Sequence, residues 1–202
     1  DVQAQITGDD LSLGLGQQQI NGKFVMVNKE ASSLLLQLGL PVVALNDSGR
    51  AALRVAVKGV ADEGLSTDAA LTMRDGYLSA SGKVSPRVDF DDLEFVGEMD
   101  VSGEFQDLDR MTLLSGLSLP GFGDGQQSKF STKMAIDGTQ LQAREIKASL
   151  GASKIDGFVD IDFGQKPRPF ANGTLSLSLL DAETLTGLVY TGIPGGDYSI
   201  GS

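Results

Sequence analysis

The chain has 202 residues, 41% of them apolar, and its 27 acidic and 16 basic residues give a formal net charge of -11. It contains no histidine, cysteine or tryptophan, which removes the side chain that titrates near neutrality, the thiolate nucleophile and soft metal ligand, and the commonest sugar-stacking ring. The basic residues read as scattered singly, so no stripe exists to neutralise phosphates and nucleic acid is excluded as a partner.

Along the chain, "LSLGL" puts Leu11, Leu13 and Leu15 on one face of a strand, because side chains alternate with period two. After Asn28 the segment "KEASSLLLQL" predicts a helix of almost three turns. In it the Asn28 side chain caps the first amides, Glu30 sits near the positive end and Gly39 makes a left-handed exit before Pro41. "LRVAV" is a strand with Leu53, Val55 and Val57 on one face. "ALTM" is another, with Leu71 and Met73, followed by a turn at Asp75-Gly76 and a return strand carrying Leu78, Ala80 and Gly82. Asp109 opens a short helix closed by Gly116, and Asp181 opens one closed by Gly187.

"KMAIDGTQLQA" reads as strand, Asp137-Gly138 turn and strand, followed by "REIKASL" with Ile146, Ala148 and Leu150 on one side. "GFVDIDF" alternates Val159, Ile161 and Phe163 against Asp160 and Asp162, and "TLSLSLL" alternates Leu175, Leu177 and Leu179 against Ser176 and Ser178. These two are the clearest half-buried strands. Hairpins dominate, so the sheet is expected to be mostly antiparallel. Helices this short are marginal alone. They predict packing of Leu34, Leu35, Leu113, Leu114 and Leu185 against the edge or rim of the sheet.

The order glycine, alternating apolar strand, Asn or Asp cap and leucine-rich turn recurs three times. It begins at Gly22, Gly103 and Gly173, with caps at Asn28, Asp109 and Asp181. A period of roughly 75 residues is too long for a common solenoid and fits several strands plus one short helix. The expected organisation is one elongated segment, 1–202, with units of roughly 1–45, 46–120 and 129–194. The Pro- and Gly-rich stretch at 120–128 is expected to be a flexible loop. No apolar run reaches the roughly 18 to 20 residues of a bilayer span, and the chain opens at Asp1 without a start methionine, so it reads as a piece of a longer array.

Chemistry is sparse. The acidic cluster "VDFDDLEF", with Asp89, Asp91, Asp92 and Glu94, is the one candidate for carboxylate catalysis on carbohydrate, since a glycoside hydrolase needs only two carboxylates at a set separation. Alternation sets Asp92 and Glu94 on one face opposite Leu93 and Phe95, as on an ordinary solvated strand. Calcium would find oxygen ligands but no twelve-residue "DxDxDG" loop, and the glycine-rich stretches lack a phosphate-loop lysine. No catalytic residue, metal site or cofactor is expected. Stacked repeats would merge their apolar faces into one strip, either covered by a second layer or left as a groove for acyl chains. Periodicity alone favours the covered core.

Two segments, Ala148 to Leu185 and Tyr77 to Met111, share the order of strand, glycine, alternating strand, connection, glycine, alternating strand, "LD" and short helix, and Glu30 to Gly59 reads as a helix followed by a new sheet. This order resembles the AsmA-like family of the Gram-negative envelope. The resemblance implies a mainly β fold with short helices, in which repeated antiparallel units form a curved, elongated sheet. It also implies a periplasmic location in a parent anchored in the inner membrane, and a non-enzymatic role in carrying phospholipid or other acyl-chain lipid for outer-membrane maintenance. The groove residues would then be Leu53, Val55, Val57, Leu71, Met73, Val159, Ile161, Phe163, Leu175, Leu177 and Leu179. An assembly module that binds an envelope protein by strand addition is the alternative.

Overall fold

The computed structural model describes residues 3–8, 19–38, 42, 49–60, 63–89, 92–108, 127–164 and 170–178. In chain order the elements are β1 (Gln3–Gly8), β2 (Gln19–Asn28), α1 (Ala31–Gln37), β3 (Ala51–Val60), β4 (Gly64–Met73), β5 (Gly76–Asp89), β6 (Asp92–Phe105), β7 (Ser128–Asp137), β8 (Gln140–Leu150), β9 (Ser153–Asp162) and β10 (Phe170–Ser178). Among the described residues ten strands form a single sheet in which each pairs with its sequence neighbours, and all nine of these pairings are antiparallel. The sheet is curved and does not close. Nine spacings of about 4.8 Å make it on the order of 40 Å across. The strand predicted at 11–15, the helices after Asp109 and Asp181, the Gly39 exit and the loop up to residue 126 lie outside the described residues.

Two expected turns fall one residue away from their predicted place. Met73 already pairs with Gly76, so the β4–β5 turn is Arg74-Asp75. Asp137 pairs with Gln140, so the β7–β8 turn is Gly138-Thr139. There Gly138, at φ 57°, supplies the left-handed conformation as the first turn residue. "LQA" and "REIKASL" are not separate strands. They join in β8, where one extra residue shifts the register between Ala143 and Ile146.

The helix is shorter than predicted and starts differently. Glu30 is its N-cap and makes no side-chain cap bond. The Asn28 carboxamide instead accepts from the Glu30 N–H at 3.0 Å, an Asx turn that bends the chain out of β2. The Ala31 N–H donates to the Gly49 carbonyl at 2.8 Å, tying the start of the helix to the lead-in of β3. Seven residues cannot hold a helix in water by themselves. Burial of Leu34 and Leu35 holds this one: both pack with Ala31, Ala51 and Leu71, flanked by Met26, Leu53, Met73 and Leu78. The helix therefore covers the apolar face of β2–β5 rather than an edge or rim.

Candidate functional site: an uncharged sheet face and a basic hollow

Register and alternation sort the side chains into two faces. Leu53 pairs with Met26 and Leu71, and Leu71 with Leu78. Met99 pairs with Gly82 and Met134, and Met134 with Ala143. Val159 pairs with Ala143 and Gly173. Continuing this face from β2 to β10 meets apolar residues, glycines and a few Ser, Thr and Asn side chains. Among the strand side chains described, it meets no charged one. The charged residues stand on the other face, with Lys133 pairing Arg144, Asp100 pairing Lys133 and Asp160 pairing Gln142.

The predicted groove residues mostly share the uncharged face but divide by environment. Leu71 is buried, and Leu53 and Met73 pack against the α1 cluster, so these three are occupied by the chain's own core. Val55, Val57, Val159 and Ile161 are half-buried on the same face. β10 was expected to be half-buried, yet it is exposed along its whole length, with Leu175 50% and Leu177 36% accessible. It packs against β9 and, among the described residues, has no second neighbour. Phe163 lies past the end of β9, 54% exposed, its N–H bonded to the Thr139 carbonyl at 2.9 Å. Leu179 lies outside the described residues.

Phe130, Met134 and Ile136 of β7, which are not among the predicted groove residues, join this face opposite Gly103, Met99 and Gly97. Their alternation in "SKFSTKMAID" was legible, but Ser128 and Thr132 at the same parity dilute the apolar signal. Phe130 and Leu78 fill the space that a side chain at Gly103 would need, where a Cβ would come within 2.5 Å and 2.7 Å of them. Glycine there lets two large neighbours close over the strand.

Within the acidic cluster Glu94 is the residue with a described side chain. Asp89 and Asp92 pair at the end of the β5–β6 hairpin, and Asp91 lies outside the described residues. Glu94 accepts from the Arg87 guanidinium at 2.6 Å, and Arg87 also reaches Asp137 at 3.1 Å. The bond that Arg87 donates to Glu94 is the largest cause that raises the Arg87 pKa. Among the described residues no group of three or more acidic side chains is arranged to hold a metal ion, and no helix is long and apolar enough to cross a membrane.

One expectation about charge is corrected. The basic residues are not all scattered: Lys29, Arg50, Arg54 and Arg74 line one open hollow of about 590 Å³ together with Val27, Gly49, Ala51, Ala52, Thr72 and Met73. Three distant stretches of sequence supply its ten described lining residues, so a reading by runs could not assemble them. The class defined by these features is an open, curved antiparallel meander with one uncharged face. No protein-family model, curated protein or solved structure matches the chain.

Proposed function

We propose that this chain binds acyl-chain lipid, phospholipid foremost, along the uncharged face of the sheet. In this reading it is a non-enzymatic periplasmic segment of an inner-membrane-anchored protein of the AsmA-like kind that serves outer-membrane maintenance. The observation that carries the reading is the segregation of charge: a face on the order of 40 Å wide has no described charged strand side chain, while among the described residues α1 covers its β2–β5 part. Lipid tails need such continuity, since one unpaired charge on the path would cost several kcal/mol to dehydrate. Each methylene buried contributes about 0.8 kcal/mol, and no specific polar contact is required. The tails would lie on β6–β10, against Val101, Met134, Val159 and Leu177, with head groups left in water.

Native mass spectrometry of protein purified from bacterial membranes should show co-purified phospholipid, and a fluorescent phospholipid analogue should be taken up. In a series of single-chain amphiphiles, affinity should rise by up to about fourfold per added methylene. Leu177→Asp, at a position already exposed, should reduce uptake and leave the fold intact. A lipid-free mass together with no uptake would refute the proposal.

The second reading is strand addition by a protein partner, favoured by β10, which is exposed throughout and paired on one side among the described residues. A proline at Leu175 would separate the two, since it removes an edge-facing backbone donor and keeps an apolar side chain on the uncharged face. Loss of partner capture with lipid uptake retained would favour this alternative.

A further inference from the structure

The basic hollow lies apart from the uncharged face, and its charge runs against the balance of the chain. A quarter of the 16 basic residues converge on it, in a molecule of net charge -11. The register explains the convergence. Asn28 pairs with Ala51, so one step further along β2 and β3 sets Lys29 beside Arg50. Ala52 pairs with Thr72, so two steps further sets Arg50 beside Arg74. Arg54 stands two rungs inward of Ala52, paired with Val25 and Ala70. All four therefore belong to the charged face at one end of β2–β4, on the opposite side from Leu53 and Leu71.

Like charges in adjacent positions of a sheet repel, and among the described residues no acidic side chain lines the hollow. Among the described residues, no carboxylate pairs with Lys29, Arg50 or Arg54. The hollow is also organised by backbone. Gly49 has φ 77°, a conformation that L side chains rarely adopt. Its missing side chain leaves room for Arg74, whose Cβ and Cδ would both lie 3.0 Å from a Cβ placed there. The Gly49 carbonyl is held in turn by the Ala31 N–H at 2.8 Å.

We propose that this hollow binds a phosphate-bearing anion. The Arg50 and Arg54 guanidinium forks and the Lys29 ammonium suit the several oxygens of a phosphate ester better than a single carboxylate. A volume of about 590 Å³ falls within the range of small-molecule sites and exceeds what bare phosphate fills. Val27 and Ala52, on the same face as the basic side chains, supply an apolar floor for the organic part of the ligand. The phosphate is either that of a soluble organic phosphate or that of a phospholipid head group presented at a bilayer surface. Because the site is on the charged face, it is independent of acyl-chain binding on the other.

The test titrates the whole chain, followed by backbone amide NMR, with pyrophosphate and with glycerol 3-phosphate, and separately sediments it with vesicles of phosphatidylglycerol and of phosphatidylcholine. Saturable shifts confined to residues 27–29, 49–54 and 72–74 are expected, and they should weaken as salt is raised. Arg54→Glu should weaken binding by about tenfold or more. Arg50→Gln, outside the strands, should weaken it in the same direction with less risk to folding, and both variants should keep acyl-probe uptake unchanged. Saturation by the soluble phosphates without sedimentation supports the soluble source. Sedimentation with phosphatidylglycerol alone, lost in both variants, supports the head-group source. Shifts spread over all basic residues, or binding that neither variant alters, would overturn the proposal.

Discussion

Lys133 Nζ lies 2.8 Å from Glu145 Oε1 across the β7–β8 pair, and Glu145 is the residue that β8 carries in excess of its partners. Between Ser131 and Lys133 the β7 strand advances two residues, while β8 advances three, from Arg144 to Lys147. Glu145 takes φ 51°, the one positive value among the described non-glycine residues, and the Thr132 hydroxyl donates to the Arg144 carbonyl at 2.8 Å. This is a β-bulge closed by a side-chain hydrogen bond on one flank and an ion pair on the other.

The ion pair sets a pH dependence with a definite sign. The Lys133 hydrogen bond, then its charge, hold the Glu145 carboxyl below its ordinary 4.5. The same bond, then the Glu145 charge, raise the Lys133 ammonium above its ordinary 10.5. The carboxylate contribution is therefore complete above 4.5 and is lost as pH falls through the lowered value, and the ammonium contribution is complete below 10.5 and is lost as pH rises through the raised one. An NMR titration of the Glu145 carboxyl carbon should report the low value in the native chain and a return toward 4.5 in Lys133→Met. Identical titrations would show that the two groups do not pair in solution. Both side chains are exposed, so the stability effect should be small and should fade in salt.

Glu145→Gly should stabilise the chain by a few tenths to about 1 kcal/mol, because glycine adopts the left-handed conformation without steric cost. Glu145→Val, β-branched and equally unable to pair with Lys133, should destabilise by about 1–2 kcal/mol. Urea unfolding of the two variants separates backbone strain from ion pairing, since both lose the carboxylate. If the two midpoints shift alike, the positive φ carries no strain.

The bulge also shows what was legible in the sequence. Leu141 and Ala143 keep one parity while Ile146, Ala148 and Leu150 keep the other, and the chain was read there as two strands. Period-two reasoning detects such a break, but one extra residue and a loop produce the same parity change. The strands around Leu53, Leu71, Leu78 and Val159 were legible because one face is apolar and the other polar over five or more residues. Burial was less legible. "TLSLSLL" alternates as cleanly as any stretch, yet β10 is exposed, because burial depends on what packs over a face and alternation records only the face. The helix cap failed for a related reason: Asn28 offers the same carboxamide to a helix N-terminus or to an Asx turn, and the bond between Ala31 and Gly49, 18 positions apart, decides where the helix begins.

The contrast between covered and uncovered leucines is directly measurable. Leu34 is 0% and Leu35 1% exposed, so Leu34→Ala should cost about 2–5 kcal/mol through lost transfer energy and the cavity left behind. Leu177→Ala removes the same atoms from a side chain that already meets water, and should change stability by less than about 0.5 kcal/mol. Denaturant midpoints of the two variants give the comparison. Equal losses would mean that the β10 face is covered in solution.

Gly103 tests the packing of the uncharged face from the opposite direction, by adding atoms. It is buried because Leu78 and Phe130 close over it from the two neighbouring strands, and a Cβ would fall 2.7 Å and 2.5 Å from them. Neither contact is to backbone, so the cost depends on whether the leucine and the ring can swing aside. A methyl group displaces one of them, whereas a branched side chain displaces both and holds their strands apart. Gly103→Ala should therefore destabilise by about 1 kcal/mol and Gly103→Val by about 1–3 kcal/mol. Ala80→Val, on the neighbouring strand and the same face, is the control for a larger apolar group without this closure. If Gly103→Val were no worse than Ala80→Val, the Phe130 ring would not be held over the glycine, and the face would be looser than a packed layer.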